Sequence, residues 1–152
     1  MPQTVDALSF RDNKIEIGAD PIAGPWVDVS GSTNSLEVSG GDWQIGTLFT
    51  FLGMTAILTS GKRDPLDIAC NMAYTETAGE AFETARPFYE NGTPCYIRWS
   101  PKGGLSTQAR YQTGTYSRVK SFKWPGGVAE GGAPVLALLT VAAATVARSV
   151  IV

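Results

Sequence analysis

Between Leu66 and Gly104 the chain changes its hydrophobic period twice, and that change limits the folds open to it. Leu66, Ile68, Cys70, Met72 and Tyr74 recur at every second position, with Asp67 and Asn71 on the alternate positions. That pattern predicts a strand with one apolar face and one polar face. Thr77 followed three residues later by Glu80 is a capping-box pair, and Phe82, Ala85 and Tyr89 then follow at helical spacing. Pro87 predicts a kink or a restart near Arg86, and Asn91-Gly92 supplies a left-handed stop. Cys95-Tyr96-Ile97-Arg98-Trp99 reads as a second strand, ending at Ser100-Pro101-Lys102-Gly103-Gly104. One helix in a chain that otherwise reads as strands and turns predicts a mainly β domain.

The remaining segments fit that frame. Residues 1–25 read as an extended N-terminal arm, within which Asn13–Ile17 alternates as a short strand does and Gly18, Pro21, Gly24 and Pro25 break regular structure. Ser35–Ser39 alternates with Leu36 and Val38 facing inward. Thr47, Phe49 and Phe51 share one face of a strand that runs to Gly53. Met54–Ser60 returns as its hairpin partner, and Gly61-Lys62-Arg63-Asp64-Pro65 forms a turn. Thr107–Phe122 reads as two strands or one bent strand anchored by Tyr111 and Tyr116. Trp124–Gly132 reads as a loop, and Val135–Val152 as apolar strands bent near Ala142–Ala144. At 152 residues, with no repeat and no long linker, residues 1–152 are expected to form a single domain.

Composition removes several function classes. The chain has no histidine, which eliminates the commonest general base, the usual nucleophile triads and nearly all zinc sites. No cofactor and no metal is expected, and no catalytic residue stands out. The net charge of −2 argues against an electrostatic nucleic-acid footprint. Low charge with 17 Gly and 9 Pro fits either a turn-rich β domain or one whose surface is hidden in subunit contacts. Cys70 and Cys95 lie on apolar strand patterns and read as buried free thiols, with a disulfide as the alternative. Met1–Asp6 lacks the regions of a signal peptide, and the uncharged Gly131–Ala147 is too short and too mildly apolar for a comfortable membrane span.

Other motifs have plain explanations. Gly61-Lys62 lacks phosphate-loop spacing, and Arg63 stands where such a loop needs Ser or Thr. Asn91-Gly92-Thr93 fits a glycosylation pattern but also a helix stop. Glu76, Glu80 and Glu83 suit the start and solvated face of a helix better than a carboxylate-pair hydrolase. Arg118, Lys120 and Lys123 with Tyr116, Phe122 and Trp124 form a basic–aromatic patch, read as a solvated strand or subunit contact before a single-strand binding surface.

Several stretches resemble the major tail tube proteins of long, non-contractile-tailed bacteriophages. They are Asn34–Gly41, Phe49–Gly53, Gly61-Lys62-Arg63, Tyr74-Thr75-Glu76 and Arg98–Gly104, and the likeness spans roughly residues 26 to 104. The resemblance implies a β-sandwich with one flanking helix, in which the subunits form hexameric rings stacked into a hollow tube and lend strands to a closed inner β-barrel. It implies a structural virion protein of the phage tail, made and assembled in the host bacterial cytoplasm; larger relatives often add a C-terminal immunoglobulin-like domain, and no such decoration domain is expected here. Its partners would be other copies of itself, a tape measure protein inside the tube, and tail terminator and distal tail proteins at the ends. Double-stranded DNA would pass through transiently. On this view Lys62, Arg63 and Asp64 are candidates for the ring-stacking contact, alongside the N-terminal arm and the Gly126–Gly132 loop, and Asp67 and Asn71 are candidate lumen-facing residues. A contractile-tail tube or bacterial injection device shares the architecture. From a different class, a monomeric carbohydrate-binding β-sandwich would use Trp26, Trp43, Trp99 or Trp124 as platforms.

Overall fold

A computed structural model of the chain describes residues 8–152. Eleven strands and one helix follow one another: β1 (Lys14–Gly18), β2 (Trp26–Asp28), β3 (Thr33–Gly40), β4 (Trp43–Leu48), β5 (Ile57–Arg63), β6 (Leu66–Ala73), α1 (Ala81–Asn91), β7 (Tyr96–Ser100), β8 (Ala109–Thr113), β9 (Arg118–Gly126), β10 (Leu136–Ala143) and β11 (Val146–Val150). They build a five-stranded sheet ordered β11-β8-β7-β1-β2, a four-stranded sheet ordered β3-β6-β10-β9, and a two-stranded β4-β5 hairpin, all antiparallel.

The core lies where alternation predicts it. Ile68, Cys70 and Met72 of β6 and Ala137, Leu139 and Val141 of β10 are buried together with Ile15 and Ile17 of β1 and Ile97 and Trp99 of β7. Cys70 and Cys95 are both buried free thiols, as expected. Burial pushes Cys70 up to about 11; it pushes Cys95 up to about 12, with the neighbouring Cys70 adding to the rise.

The helix packs on the core side of the four-stranded sheet. Phe82 meets Tyr74 edge-on at 4.8 Å and Phe122 at 5.5 Å, while Tyr89 stacks on Phe122 at 5.4 Å. Gly92, at φ 62°, ends the helix in the left-handed conformation that Asn91-Gly92 predicted. The start differs. Glu80 itself is the N-cap, and its carboxylate accepts from the Thr75 hydroxyl instead of closing a box with Thr77. The first helical N–H, that of Ala81, donates to Ser32 Oγ at 2.9 Å, so a residue from a distant turn does the capping. The helix also runs unbroken through Pro87, so of the kink or restart expected near Arg86 the restart does not occur.

Other expectations change as well. Within the stretch read as an arm, β1 is an inner strand of the five-stranded sheet, held between β2 and β7; residues 1–7 of that arm lie outside the described residues. β4 stops at Leu48, so Phe49 and Phe51 sit in the exposed hairpin tip and not on a strand face. β5 extends to Arg63, which puts Gly61, Lys62 and Arg63 in a strand and leaves only Asp64-Pro65 as the turn. Val38 shares a face with buried Ile68 but is 41% exposed near the end of an edge strand. Tyr116 is an exposed turn residue with φ 67°, not an anchor; Tyr111 does anchor, stacked on Trp99 at 5.8 Å. β9 runs on to Gly126, so Trp124 belongs to a strand and Pro125 is tolerated because that strand is at a sheet edge.

Candidate assembly surfaces

Apart from Leu138, the face of the four-stranded sheet turned away from the core is built from small and polar or charged side chains. Because Ile68, Cys70 and Met72 point inward, Asp67, Ala69, Asn71 and Ala73 point out, and register extends the pattern across the sheet. Ser35, Glu37 and Ser39 of β3 stand opposite Asn71, Ala69 and Asp67. Leu138, Thr140 and Ala142 of β10 stand opposite the same three on the other side, and Lys123 and Ser121 of β9 face Leu138 and Thr140. The two sequence-predicted lumen candidates, Asp67 and Asn71, are therefore on one face of one strand.

A β-bulge in β9 between its pairings with Thr140 and Val141 makes Lys120 the extra residue there. Its Nζ donates to Asp67 Oδ2 at 2.6 Å. The reach spans β10, where Ala142 offers only a methyl group. Arg118, opposite Ala142 at the end of the strand, donates to the Gly92 carbonyl at 2.9 Å. The basic–aromatic patch of the sequence is thus divided: Lys120 and Lys123 go to the polar face, while Phe122 and Trp124 join the helix cluster.

Both outer strands of this sheet have an uncovered edge. Among the described residues β3 pairs with β6 alone, and β9 pairs with β10 apart from a single bridge between Arg118 and Pro94. Unpaired edges are templates for another strand.

The β4–β5 hairpin prolongs the β3–β6 ladder beyond the sandwich. Gly40 pairs with Leu66, the Gly41 N–H donates to the Pro65 carbonyl, the Asp64 N–H donates to the Asp42 carbonyl, and Trp43 pairs with Arg63. Gly40 and Gly41, at φ 78° and 77°, bend this ribbon. A Cβ on Gly40 would lie 2.6 Å from the Pro65 oxygen. All strand residues of the hairpin are exposed, and Leu52 and Met54 at its tip are 99% and 97% exposed. The sequence carries a signal for this exposed ribbon: no charged residue occurs between Asp42 and Lys62.

The stacking candidates lie at the base of this hairpin. Arg63 sits over the Trp43 ring at 5.5 Å and its Nε donates to the Gly41 carbonyl. Asp64 accepts from Gln44 Nε2 at 3.0 Å, and Lys62 has no ion-pair partner among the described residues. Lys62, Arg63 and Asp64 thus adjoin one another along the chain, and Arg63 and Asp64 brace the bend.

The five-stranded sheet carries a different kind of polar group. Arg98 Nε and Nη2 donate to Glu16 at 2.6 and 3.1 Å, Lys14 lies 3.2 Å from the same carboxylate, and Arg98 covers the Trp26 ring at 4.3 Å. Burial opposes ionisation of Glu16, but Arg98 and Lys14 outweigh it and hold its pKa below the ordinary value. This network is internal bracing. Of the four tryptophans Trp99 is buried and Trp26 lies under Arg98, whereas Trp43, under Arg63, and Trp124, beside the helix cluster, keep about half of their surface exposed and lie on different sheets.

Among the described residues no group of three or more Cys, Asp or Glu could hold a metal ion, and no helix is long and apolar enough to cross a membrane. No protein-family model and no curated relative matches the sequence. Solved structures do. The chain resembles a subunit in the tail of an empty gene transfer agent particle refined with C6 symmetry (TM-score 0.67, 15% identity, 96% of this chain and 100% of that one). It also resembles one in the extended sheath–tube complex of an extracellular contractile injection system (0.64, 13%, 97% and 94%). A third likeness is to the SPP1 tail tube (0.64, 14%, 96% and 81%). At such low identity the likeness speaks for the fold: this chain has the mainly β, single-helix fold of tail tube proteins.

Proposed function

We propose that this protein is a structural tail tube subunit, forming stacked hexameric rings that make a hollow conduit for DNA in a virion of the long, non-contractile-tailed type. The observation that carries the reading is the four-stranded sheet with a polar outer face and two uncovered edges. Its strands alternate in direction, and four is an even number, so β3 and β9 run opposite ways. Repeating the sheet around a cyclic axis therefore continues the antiparallel pattern at every seam and closes a barrel without edges. Six copies fit the C6 symmetry of the gene transfer agent tail.

In this arrangement Asp67 and Asn71 face the lumen and the helix braces the opposite, core side of the same sheet. The Asp67–Lys120 pair leaves one lysine fewer to hold a passing polyanion. The exposed hairpin, with Lys62, Arg63 and Asp64 at its base, reaches a neighbouring copy. Burying Phe51 or Leu52 there is worth roughly 1.5–3 kcal/mol each, enough to drive contact that the lone subunit lacks. Head-to-tail stacking repeats without closing, which gives a filament. A tape measure protein inside, terminator and distal tail proteins at the ends, and the Gly126–Gly132 loop at ring contacts complete the picture. Similar caps and terminators occur in the injection-system assemblies this fold resembles.

Negative-stain electron microscopy of the purified full chain tests the reading. Stacked rings or tubes are expected; dispersed monomers at high concentration would overturn it. A second reading, the tube of a contractile machine, draws on the likeness to the injection-system tube, and binding of a sheath protein to the assembled tubes would favour it.

A further inference from the structure

We infer that Glu37 of one copy and Lys123 of the next form an ion pair across each seam between neighbouring four-stranded sheets, a step that rests on the tube reading above. Glu37 stands opposite Ala69, and Lys123 stands opposite Leu138, so both project from the polar face. Each lies on an uncovered outer strand, one acidic and one basic. Neither has an ion-pair partner among the described residues, whereas Lys120, the other lysine on that face, is held by Asp67.

Within one subunit the two cannot meet. Three strand spacings separate β3 from β9, on the order of 14 Å. Across a seam the same strands would lie one spacing apart, about 5 Å. Glu37 shares its cross-sheet row with Ala69, Thr140 and Ser121, and Lys123 is two residues from Ser121 on the same face. With rows aligned, Lys123 of the next copy is the diagonal neighbour of Glu37, within reach of a long side chain. A stagger of two residues places them directly opposite. A stagger of one would turn the polar face of a strand into the core and is excluded by the burial pattern.

The pair does two things. It selects a basic edge for an acidic one, so sheets join β3 to β9 and not β3 to β3. It also completes the charge balance of the wall, because Glu37 and Asp67 then neutralise Lys123 and Lys120, leaving no unpaired lysine of this face to hold DNA.

Charge exchange tests this in the full chain. Glu37→Lys alone and Lys123→Glu alone set like charges against each other at every seam and are expected to raise the protein concentration needed for tubes by about tenfold or more. The double exchange E37K/K123E restores the opposite pair and is expected to return that concentration to within about threefold of wild type, a rescue that two independent structural roles would not give. Both residues are exposed, so circular dichroism should show folded subunits throughout. Should a reversal fail to fold, E37Q and K123Q serve instead, with the double variant expected to be no worse than either single. Singles that assemble as wild type does, or a double exchange no better than the singles, would overturn the pair while wild-type tubes left the parent reading standing. Absence of wild-type tubes would remove both.

Discussion

In the sandwich, Ile68, Cys70, Met72 and Leu139 are fully buried and their strand neighbours reach outward; in the β4–β5 hairpin every strand residue is exposed, although Trp43, Ile45, Leu48, Ile57 and Leu58 are as apolar as any core residue. Both regions belong to one ladder, since β3 and β6 become β4 and β5 across the Gly40-Gly41 bend. Strand pairing is therefore the same in the two, and only the second layer differs. The sandwich finds its second layer within the chain. Among the described residues the hairpin has none, and on the proposed tube reading another copy supplies it.

The largest expected contrast is in core truncation. Met72→Ala or Leu139→Ala removes a fully buried side chain and should cost roughly 2–5 kcal/mol of monomer stability, measured by urea unfolding. Phe51→Ser with Leu52→Ser should change monomer stability by no more than about 0.5 kcal/mol each and still abolish tube formation. Equal destabilisation by the two sets would break the comparison, because the hairpin would then have a partner inside the subunit.

The bend comes next. Gly40→Val places a β-branched side chain at φ 78° with its Cβ 2.6 Å from the Pro65 oxygen, and should cost about 1–3 kcal/mol and misdirect the hairpin. Unfolding and electron microscopy would be read together; a variant that unfolds and assembles as wild type does would show that the bend is dispensable.

Acid should act on the sandwich and spare the hairpin. Glu16 has a folded pKa below its unfolded value, so the stability from its pairing is present above the unfolded pKa and is lost as pH falls through the folded one. Unfolding midpoints of wild type should drop over that acid window, and E16Q should flatten the slope; an unchanged slope would contradict the bracing role. Smallest of all for the monomer is Lys62→Glu, which touches no ion pair among the described residues and should leave unfolding within about 0.5 kcal/mol while raising the concentration needed for tubes.

How much of this the sequence could reveal depended on the range of the interaction. The β6 strand was legible to within a residue because alternation is local, and so was Gly92 because a left-handed stop needs glycine there. The helix start was not, since the group that caps Ala81 comes from Ser32, 49 positions away. The alternation of β1 marks a strand but not its place in the sheet, because nothing in Lys14–Gly18 announces that β2 and β7 flank it. Phe49 and Phe51 misled for a different reason: apolar alternation marks what wants to be buried, and these two are exposed in the lone subunit, where the proposed tube would have a partner cover them. Of the surface residues, Asp67 and Asn71 were visible from one strand, but Glu37 and Lys123 acquired meaning only when register placed them on the same face at opposite margins.

The most direct measurement is a cryo-electron microscopy reconstruction of tubes grown from the purified full chain. The account predicts six subunits per ring, an inner barrel lined by β3, β6, β10 and β9 with Asp67 and Asn71 facing the lumen, and the β4–β5 hairpin buried against a neighbouring copy. A tube with that sheet on its outer surface, or one in which the hairpin stays in solvent, would contradict it.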